Sequence, residues 1–79
     1  MDLAEKLKAI RANEQVSQSE ICQLLGMSLS TYKKYEGALF EMGYGALTKL
    51  TQHPRFKKYT LWLMTDDVGP ECGQISPIE

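Results

Sequence analysis

The 79-residue sequence has few of the features that mark enzymes and metal sites. It contains one histidine and two cysteines, Cys22 and Cys72, and no C-x-x-C pair, so the usual ligand spacing of a metal centre is missing. Clustered catalytic acids and a glycine-rich phosphate loop are missing as well. We therefore predict no enzymatic activity, no catalytic or metal-binding residue, no cofactor and no small-molecule ligand.

Long apolar runs are also missing. No segment approaches the ~20 apolar residues that a membrane-spanning helix needs, and no charged segment followed by an apolar one marks a leader. We expect a cytoplasmic protein without membrane contact. In that reducing compartment a disulfide is not expected, so Cys22 is predicted to lie in the core as a small hydrophobe and Cys72 in a C-terminal tail.

An excess of positive charge is the third absence, because nine basic and ten acidic residues give a formal net charge of −1. Residues 1–60 hold nine basic and six acidic residues, a net charge of +3, whereas residues 61–79 hold four acidic residues and no basic one, a net charge of −4. Neutralisation of phosphates normally supplies much of the affinity for DNA. Any DNA-binding surface is therefore expected in the first part of the chain, with the acidic end on the opposite side.

After residue 16 the sequence contains clear signals for the start and the end of a helix. Ser17 and Glu20 form an S-x-x-E capping box, which predicts a helix over Gln18–Leu25. Gly26 follows where a residue of left-handed conformation ends a helix. The helix is therefore expected to be short and to be followed by a tight turn.

A second short helix follows at once. Ser28 or Ser30 caps it, and Tyr32 and Tyr35, three residues apart, share its inward face. The basic pair Lys33 and Lys34 points elsewhere, so the outward side is basic and hydroxylated. Two helices joined by a glycine turn, the second with polar side chains facing out, fit the major groove of DNA.

The stretch resembles the helix-turn-helix of the Cro/C1-type repressors, also called the XRE family. The residues that carry the resemblance are Gln18, Cys22, Gly26, Met27, Tyr32, Tyr35 and the Glu36-Gly37 pair. The match is strongest over residues 3–37. It implies a compact all-α, five-helix, lambda-repressor-like domain and a sequence-specific transcriptional regulator of bacterial or phage kind. As a repressor it would bind a pseudo-palindromic operator as a dimer.

The remaining helices are predicted from apolar spacing. Residues 2–13 form the first, with Leu3, Leu7 and Ile10 in a buried stripe and Lys6 and Lys8 off that face. A short fourth helix runs from Gly43 or Tyr44 to about Gln52, and a fifth from Pro54 to about Met64 with large apolar side chains. Residues 1–65 are then one helix-turn-helix domain, and residues 66–79 an irregular acidic C-terminal tail.

The resemblance also implies which residues face double-stranded DNA. By motif position the base-contacting residues are Ser28, Leu29, Ser30, Thr31 and Lys34, and the backbone-contacting residues are Gln18, Lys33, Tyr44, Lys49 and Arg11. Ser28 and Ser30 have capping alone as their alternative, and Leu29 either contacts DNA or packs inward. The basic cluster of Arg55, Lys57 and Lys58 either joins this surface or is only exposed to solvent on the outer face of the fifth helix.

In the family, a basic residue at position 11 pairs with the acid near the end of the recognition helix. The resemblance therefore implies an ion pair between Arg11 and Glu36, the alternative being a solvated Arg11. For a homodimer, the candidate surface is the fifth helix and the tail, with Trp62, Leu63, Met64, Ile75 and Ile78; Trp62 has plain core as its alternative. The second functional hypothesis is a helix-turn-helix module that binds a protein, such as a toxin or another regulator, and binds little DNA.

Overall fold

The computed structural model describes residues 1–78 and contains five α-helices in that range. They are α1 (Leu3–Glu14), α2 (Gln18–Leu25), α3 (Leu29–Glu36), α4 (Tyr44–Thr51) and α5 (Thr60–Thr65), with 3₁₀ turns at Lys57–Tyr59 and Pro70–Cys72. The predicted all-α, five-helix architecture is confirmed. Across residues 1–78, no helix combines the length and the apolar character needed to cross a membrane. Glu79, the last residue of the predicted tail, lies outside the described residues.

Local capping sets the bounds of the first two helices. The Asp2 and Ser17 side chains each accept a hydrogen bond from the backbone N–H three residues on. The Glu5 and Glu20 side chains in turn accept from the backbone N–H groups of Asp2 and Ser17, so both helices begin with a capping box. Gly26 ends α2 with φ of 67°. The predicted bounds of α2 are therefore correct to the residue.

The core is built from apolar side chains of all five helices. Its fully buried members include Leu7 and Ile10 of α1, Ile21 of α2, Tyr32 of α3 and Leu50 of α4. Each large apolar side chain that leaves water contributes roughly 1.5–3 kcal/mol, before the entropy cost of folding. Tyr32 thus fixes one face of α3 against the core and leaves the opposite face outside.

Lys6 lies elsewhere than predicted. Its side chain is buried, and its Nζ donates to the carbonyl oxygens of Trp62 and Leu63 at 3.0 Å each and pairs with Asp66 at 2.6 Å. The last carbonyls of a helix have no partner within it. Since α1 packs beside the end of α5, the lysine donates to the Leu63 carbonyl and adds a bond to the Trp62 carbonyl, which also accepts from the Asp66 N–H, and these bonds offset the cost of its burial.

The fifth helix begins later than predicted. His53 and Pro54 lead into a turn, closed by hydrogen bonds from Phe56 and Lys57 to the His53 carbonyl, and a 3₁₀ turn precedes α5. Tyr59, with φ of −98° and ψ of 1°, is the last residue of the 3₁₀ turn and the N-cap of α5. The large apolar side chains expected there are still buried, because the bend folds them onto the core.

The C-terminal segment is held against α5. The Gln74 side chain accepts from the backbone N–H of Leu61 at 2.9 Å and donates to the Lys57 carbonyl at 3.1 Å, and the Ile75 N–H donates to the Lys58 carbonyl at 2.9 Å. Gly69 and Gln74 form an isolated antiparallel bridge. The amide of Gln74 thereby satisfies a backbone donor at the start of α5 that no residue of the helix can reach.

Candidate nucleic-acid interface

The outward face of α3 is polar and basic. Ser30, Lys33 and Lys34 are exposed, whereas Tyr32 and Glu36 are buried. Ser30 and Lys34 are four residues apart and so lie one above the other on the helix. Within residues 1–78, no carboxylate lies within ion-pair distance of Lys33 or Lys34. Both ammonium groups are therefore available to an anionic ligand.

The beginning of α3 is closed by hydroxyl groups. Ser28 Oγ accepts from the Thr31 N–H at 3.2 Å, which makes Ser28 the N-cap, and it donates to Thr31 Oγ1 at 2.8 Å. Ser30 Oγ lies 3.5 Å away. Of the two predicted caps, Ser28 is the one used, and the Ser30 hydroxyl stays exposed. Leu29, 36% exposed, neither packs inward nor stands fully free.

An open notch separates α3 from the start of α2. It encloses about 370 Å³ and is lined by Arg11, Ser17, Gln18, Ser19, Leu29 and Lys33. The start of α2 therefore lines the same notch as two cationic side chains, Arg11 and Lys33. Such a combination favours an anion, because the helix dipole and the cations act in the same direction.

Glu36 holds two of the side chains that line this notch, Arg11 and Gln18. Arg11 Nη2 donates to Glu36 Oε1 at 3.0 Å and Arg11 Nε donates to Oε2 at 2.5 Å, so the pair is bidentate. Gln18 Nε2 donates to Oε1 at 3.2 Å. Burial raises the pKa of Glu36, but the hydrogen bonds and the charge of Arg11, together with the neighbouring Tyr32 and Gln18, outweigh it and the pKa falls below its usual range. One carboxylate therefore joins α1, α2 and α3.

Tyr32 lies beside the same carboxylate. Its hydroxyl is fully buried and has no hydrogen-bond partner of acceptable geometry in the described part of the chain. Burial, followed by the neighbouring Glu36, raises the pKa of Tyr32 well above its usual range. The hydroxyl thus stays protonated next to the Glu36 carboxylate.

A second notch lies on the other side of α3, where the first turn of α4 approaches. It encloses about 460 Å³ and is lined by Gly26, Met27, Ser28, Thr31, Tyr35, Gly45, Ala46 and Lys49. The N-cap of α4 is Gly43, which provides no side-chain acceptor to its free N–H groups. Tyr44, next to this cap, is 81% exposed. Cationic groups and helix starts therefore flank α3 on both sides.

The basic cluster that follows α4 is used differently. Arg55 Nε donates to Glu14 Oε1 at 2.8 Å, and Lys58 Nζ lies 2.9 Å from Oε2. The Tyr59 hydroxyl also donates to Oε2, at 2.5 Å. Burial opposes ionisation, but these hydrogen bonds outweigh it and lower the pKa of Glu14 to about 2. Two of the three cations in the cluster therefore share one acid, Glu14, whose side chain is only 8% exposed.

Phe40 belongs to the surface of α3, although no motif marks it in the sequence. Its side chain is 56% exposed and its ring centroid lies 5.3 Å from Lys34 Nζ. The only signal in the sequence is the apolar run Ala38-Leu39-Phe40 directly after the helix. Glu14 is also unmarked, because its partners are more than 40 residues away in the chain.

The predicted dimer residues fall into two groups. Trp62 and Leu63 are 4% and 7% exposed and lie in the core, as the alternative for Trp62 allowed. Met64, Ile75 and Ile78 are 58%, 38% and 56% exposed. Only this second group presents substantial apolar area to the outside.

Comparison with known proteins identifies a relative. No family model matches the chain. Repressor protein C of Escherichia phage P2 is 35% identical over 75 residues, which cover 95% of this chain and 76% of the phage protein. The similarity therefore includes the two helices of the motif and the core that supports them.

Proposed function

We propose that this chain, which belongs to the Cro/C1-type repressor family, is a repressor that binds a specific double-stranded DNA operator through α3 in the major groove. The proposal is supported by the membership of the family, which makes the chain a transcription regulator, and by the surface around α3. That surface has the chemistry that a DNA duplex requires.

The observation that carries the proposal is the arrangement of cations around one exposed helix. Lys33 and Lys34 lie on α3 without an ion pair in residues 1–78, and the two notches beside α3 add Arg11 on one side and Lys49 on the other. The phosphate backbones run along both sides of the major groove, so contacts from both notches would hold α3 between them. The net charge of −1 does not prevent this, because Asp66, Asp67 and Glu71 lie outside both notches.

Each exposed group on this surface has a proposed role. Ser30, Thr31 and Lys34 offer hydrogen bonds to base edges, and Ser28 and Leu29 at the start of the helix approach the same groove, Leu29 against a thymine methyl. Gln18, Lys33, Tyr44, Lys49 and Arg11 are assigned to the sugar-phosphate backbone. Gln18 is held for this contact by Glu36, which accepts from its Nε2.

Selection of bound sequences from a random DNA pool tests the proposal. We expect the wild-type chain to enrich one pseudo-palindromic sequence. Lys34→Ala should flatten the preference at one base pair of each half-site, whereas Lys33→Ala should weaken binding to all sequences alike. Failure of the wild-type chain to enrich any sequence, together with salt-insensitive binding to a protein, would favour the protein-interaction module instead.

We further propose that two copies bind the operator, with half-sites about one helical turn, ~34 Å, apart. The support is the exposure of Met64, Ile75 and Ile78, on and beyond α5 and outside the two notches that flank α3. Sedimentation of the chain on operator DNA over a range of concentrations measures the stoichiometry. One copy per full operator at saturating concentration would contradict the dimer.

A further inference from the structure

We infer that Phe40 is a positioning residue for base recognition: its ring restrains the Lys34 ammonium and thereby sets which base pair Lys34 reads. This inference rests on the proposed DNA-binding function. Its structural basis is the juxtaposition of Phe40 and Lys34 at the end of α3, where the Lys34 Nζ lies 5.3 Å from the ring centroid. That separation is within the range of a cation–π contact.

The turn after α3 fixes this juxtaposition. Ala38 adopts a left-handed conformation with φ of 60°, which turns the chain back along the helix. The N–H groups of Leu39 and Phe40 then both lie against the Lys34 carbonyl, at 2.9 and 3.4 Å. Lys34 is therefore joined to the turn through its backbone, and the same turn places the Phe40 ring beside its side chain.

The Phe40 ring is itself supported on one side. It lines an apolar groove with Tyr35, Met42, Leu47 and Leu63, although 56% of the side chain stays exposed. A ring seated in this way has fewer orientations than a free surface side chain. The lysine, by contrast, has four rotatable bonds and would otherwise sample many positions over the groove.

Restraint of a lysine changes selectivity more than total affinity. An unrestrained ammonium reaches phosphates and several base pairs, which raises binding to all sequences. An ammonium held beside Phe40, on the same helix face as Ser30, can donate to the guanine acceptors of one base pair. An exposed cation–π contact is weak, so the expected contribution is about two- to fivefold in discrimination at that base pair.

The test compares Phe40→Leu, which removes the aromatic ring but keeps an apolar side chain, with Phe40→Trp, which keeps an aromatic ring. Leu39→Ala is the matched control, because Leu39 is 71% exposed in the same turn and has no aromatic ring to offer Lys34. Each variant is measured by selection from a random DNA pool, alone and combined with Lys34→Ala. Thermal unfolding of each variant establishes that it is folded.

We expect Phe40→Leu to reduce the preference about two- to fivefold at the base pair that Lys34→Ala flattens, and to have no effect there once Lys34 is alanine. Phe40→Trp should preserve the preference and Leu39→Ala should not alter it. An unchanged preference in Phe40→Leu, or an equal loss with and without Lys34, overturns the inference while the wild-type chain still selects its operator. A wild-type chain that selects no sequence overturns the proposed function itself, and this inference with it.

A measurement without DNA checks the geometry separately. The ring current of Phe40 should shift the NMR signals of the Lys34 methylene groups next to Nζ, and Phe40→Leu should return them to the positions seen for the other exposed lysines. Signals that are the same in the wild-type chain and in Phe40→Leu would overturn the restraint.

Discussion

Two carboxylates with side chains only 3% and 8% exposed, Glu36 and Glu14, both meet the last turn of α1 and differ in the cations around them. Glu36 accepts from Arg11 of α1 and from Gln18 of α2, beside the exposed face of α3. Glu14, at the end of α1, accepts from Arg55 and from Tyr59 and lies against Lys58. Each carboxylate joins α1 to another part of the fold, and each has a lowered pKa.

The two carboxylates differ in how many cationic side chains near them have no ion pair. Beside Glu36, Lys33 stays unpaired in residues 1–78 and Arg11 still lines an open notch, so positive potential reaches the solvent next to α3. Around Glu14, Arg55 and Lys58 are both engaged with one acid. Of the three cations in residues 55–58, the densest basic segment in the sequence, only Lys57 has no ion pair within residues 1–78, whereas both lysines of α3 have none. Four experiments test this contrast.

Removal of Glu36 should have the largest effect. Glu36→Ala leaves Arg11 without its bidentate partner and releases Gln18, so we expect a loss of about 1–3 kcal/mol in the free energy of unfolding. Denaturant unfolding measures it. Glu41→Ala is the control, since Glu41 is exposed and has no ion pair within residues 1–78, and should change stability by less than about 0.5 kcal/mol. Equal midpoints for the two variants would mean that the pair around Glu36 has no structural role.

The Glu14 cluster should be the main source of acid sensitivity. The pKa of Glu14 is about 2 in the folded chain and 4.5 ordinarily, so its stabilisation is fully present above pH 4.5 and is lost as the pH falls toward 2. Because Arg55 and Lys58 are partly exposed, we expect only about 1–2 kcal/mol. Glu14→Gln should lower the stability at pH 7 by that amount and make the acid side of the stability curve flatter than in the wild type. Parallel curves between pH 2 and pH 5 would contradict this assignment.

The two regions should also differ in their effect on DNA binding, given the proposed function. Lys33→Ala removes a free cation and should lower the salt slope of operator binding by about one unit. Arg55→Ala removes a cation already bonded to Glu14, so the slope should change by much less. Binding measured at several salt concentrations with one operator compares them. Equal changes in slope would place Arg55 on the DNA surface and remove the contrast.

Local signals allowed part of this arrangement to be predicted from the sequence. The capping box at Ser17 and the left-handed Gly26 each depend on residues a few positions apart, so the bounds of α2 could be derived from the local sequence alone. The pairing of Arg11 with Glu36, 25 residues apart, came only through the family resemblance. Neither periodicity nor capping contains information on which helix ends meet across the core.

The parts that could not be predicted depend on such meetings. Lys6 is a polar residue in a helical pattern, and only the carbonyls at the end of α5, 56 and 57 residues away, give it partners in the interior. Glu14 follows the same rule with Arg55 and Tyr59. A charged residue is assigned to the surface from the sequence because its desolvation is costly, and that assignment fails where folding provides hydrogen bonds that offset the cost. Which of the predicted residues contact DNA, and whether residues 66–79 act as a separate tail, stay predictions.

The smallest expected effects on stability come from the tyrosine beside each carboxylate. The two tyrosines differ in whether the hydroxyl group has a hydrogen-bond partner. The Tyr59 hydroxyl donates to Glu14 and accepts from Asn13 Nδ2 at 2.6 Å, and the bond to Glu14, with burial as the larger cause, raises the pKa of Tyr59 to about 12. The Tyr32 hydroxyl, beside Glu36, has no hydrogen-bond partner in the described residues.

Tyr59→Phe should therefore lower the free energy of unfolding by about 1 kcal/mol, because it removes a bond to a charged acceptor. Tyr32→Phe should leave it unchanged or raise it by up to about 1 kcal/mol, because it removes a buried polar group that is already unsatisfied. Denaturant unfolding of the two variants at pH 7 makes the comparison with the same atom deleted in each. A loss in Tyr32→Phe as large as that in Tyr59→Phe would show that Glu36 uses its tyrosine as Glu14 does, and the difference between the two clusters would then lie in their cations alone.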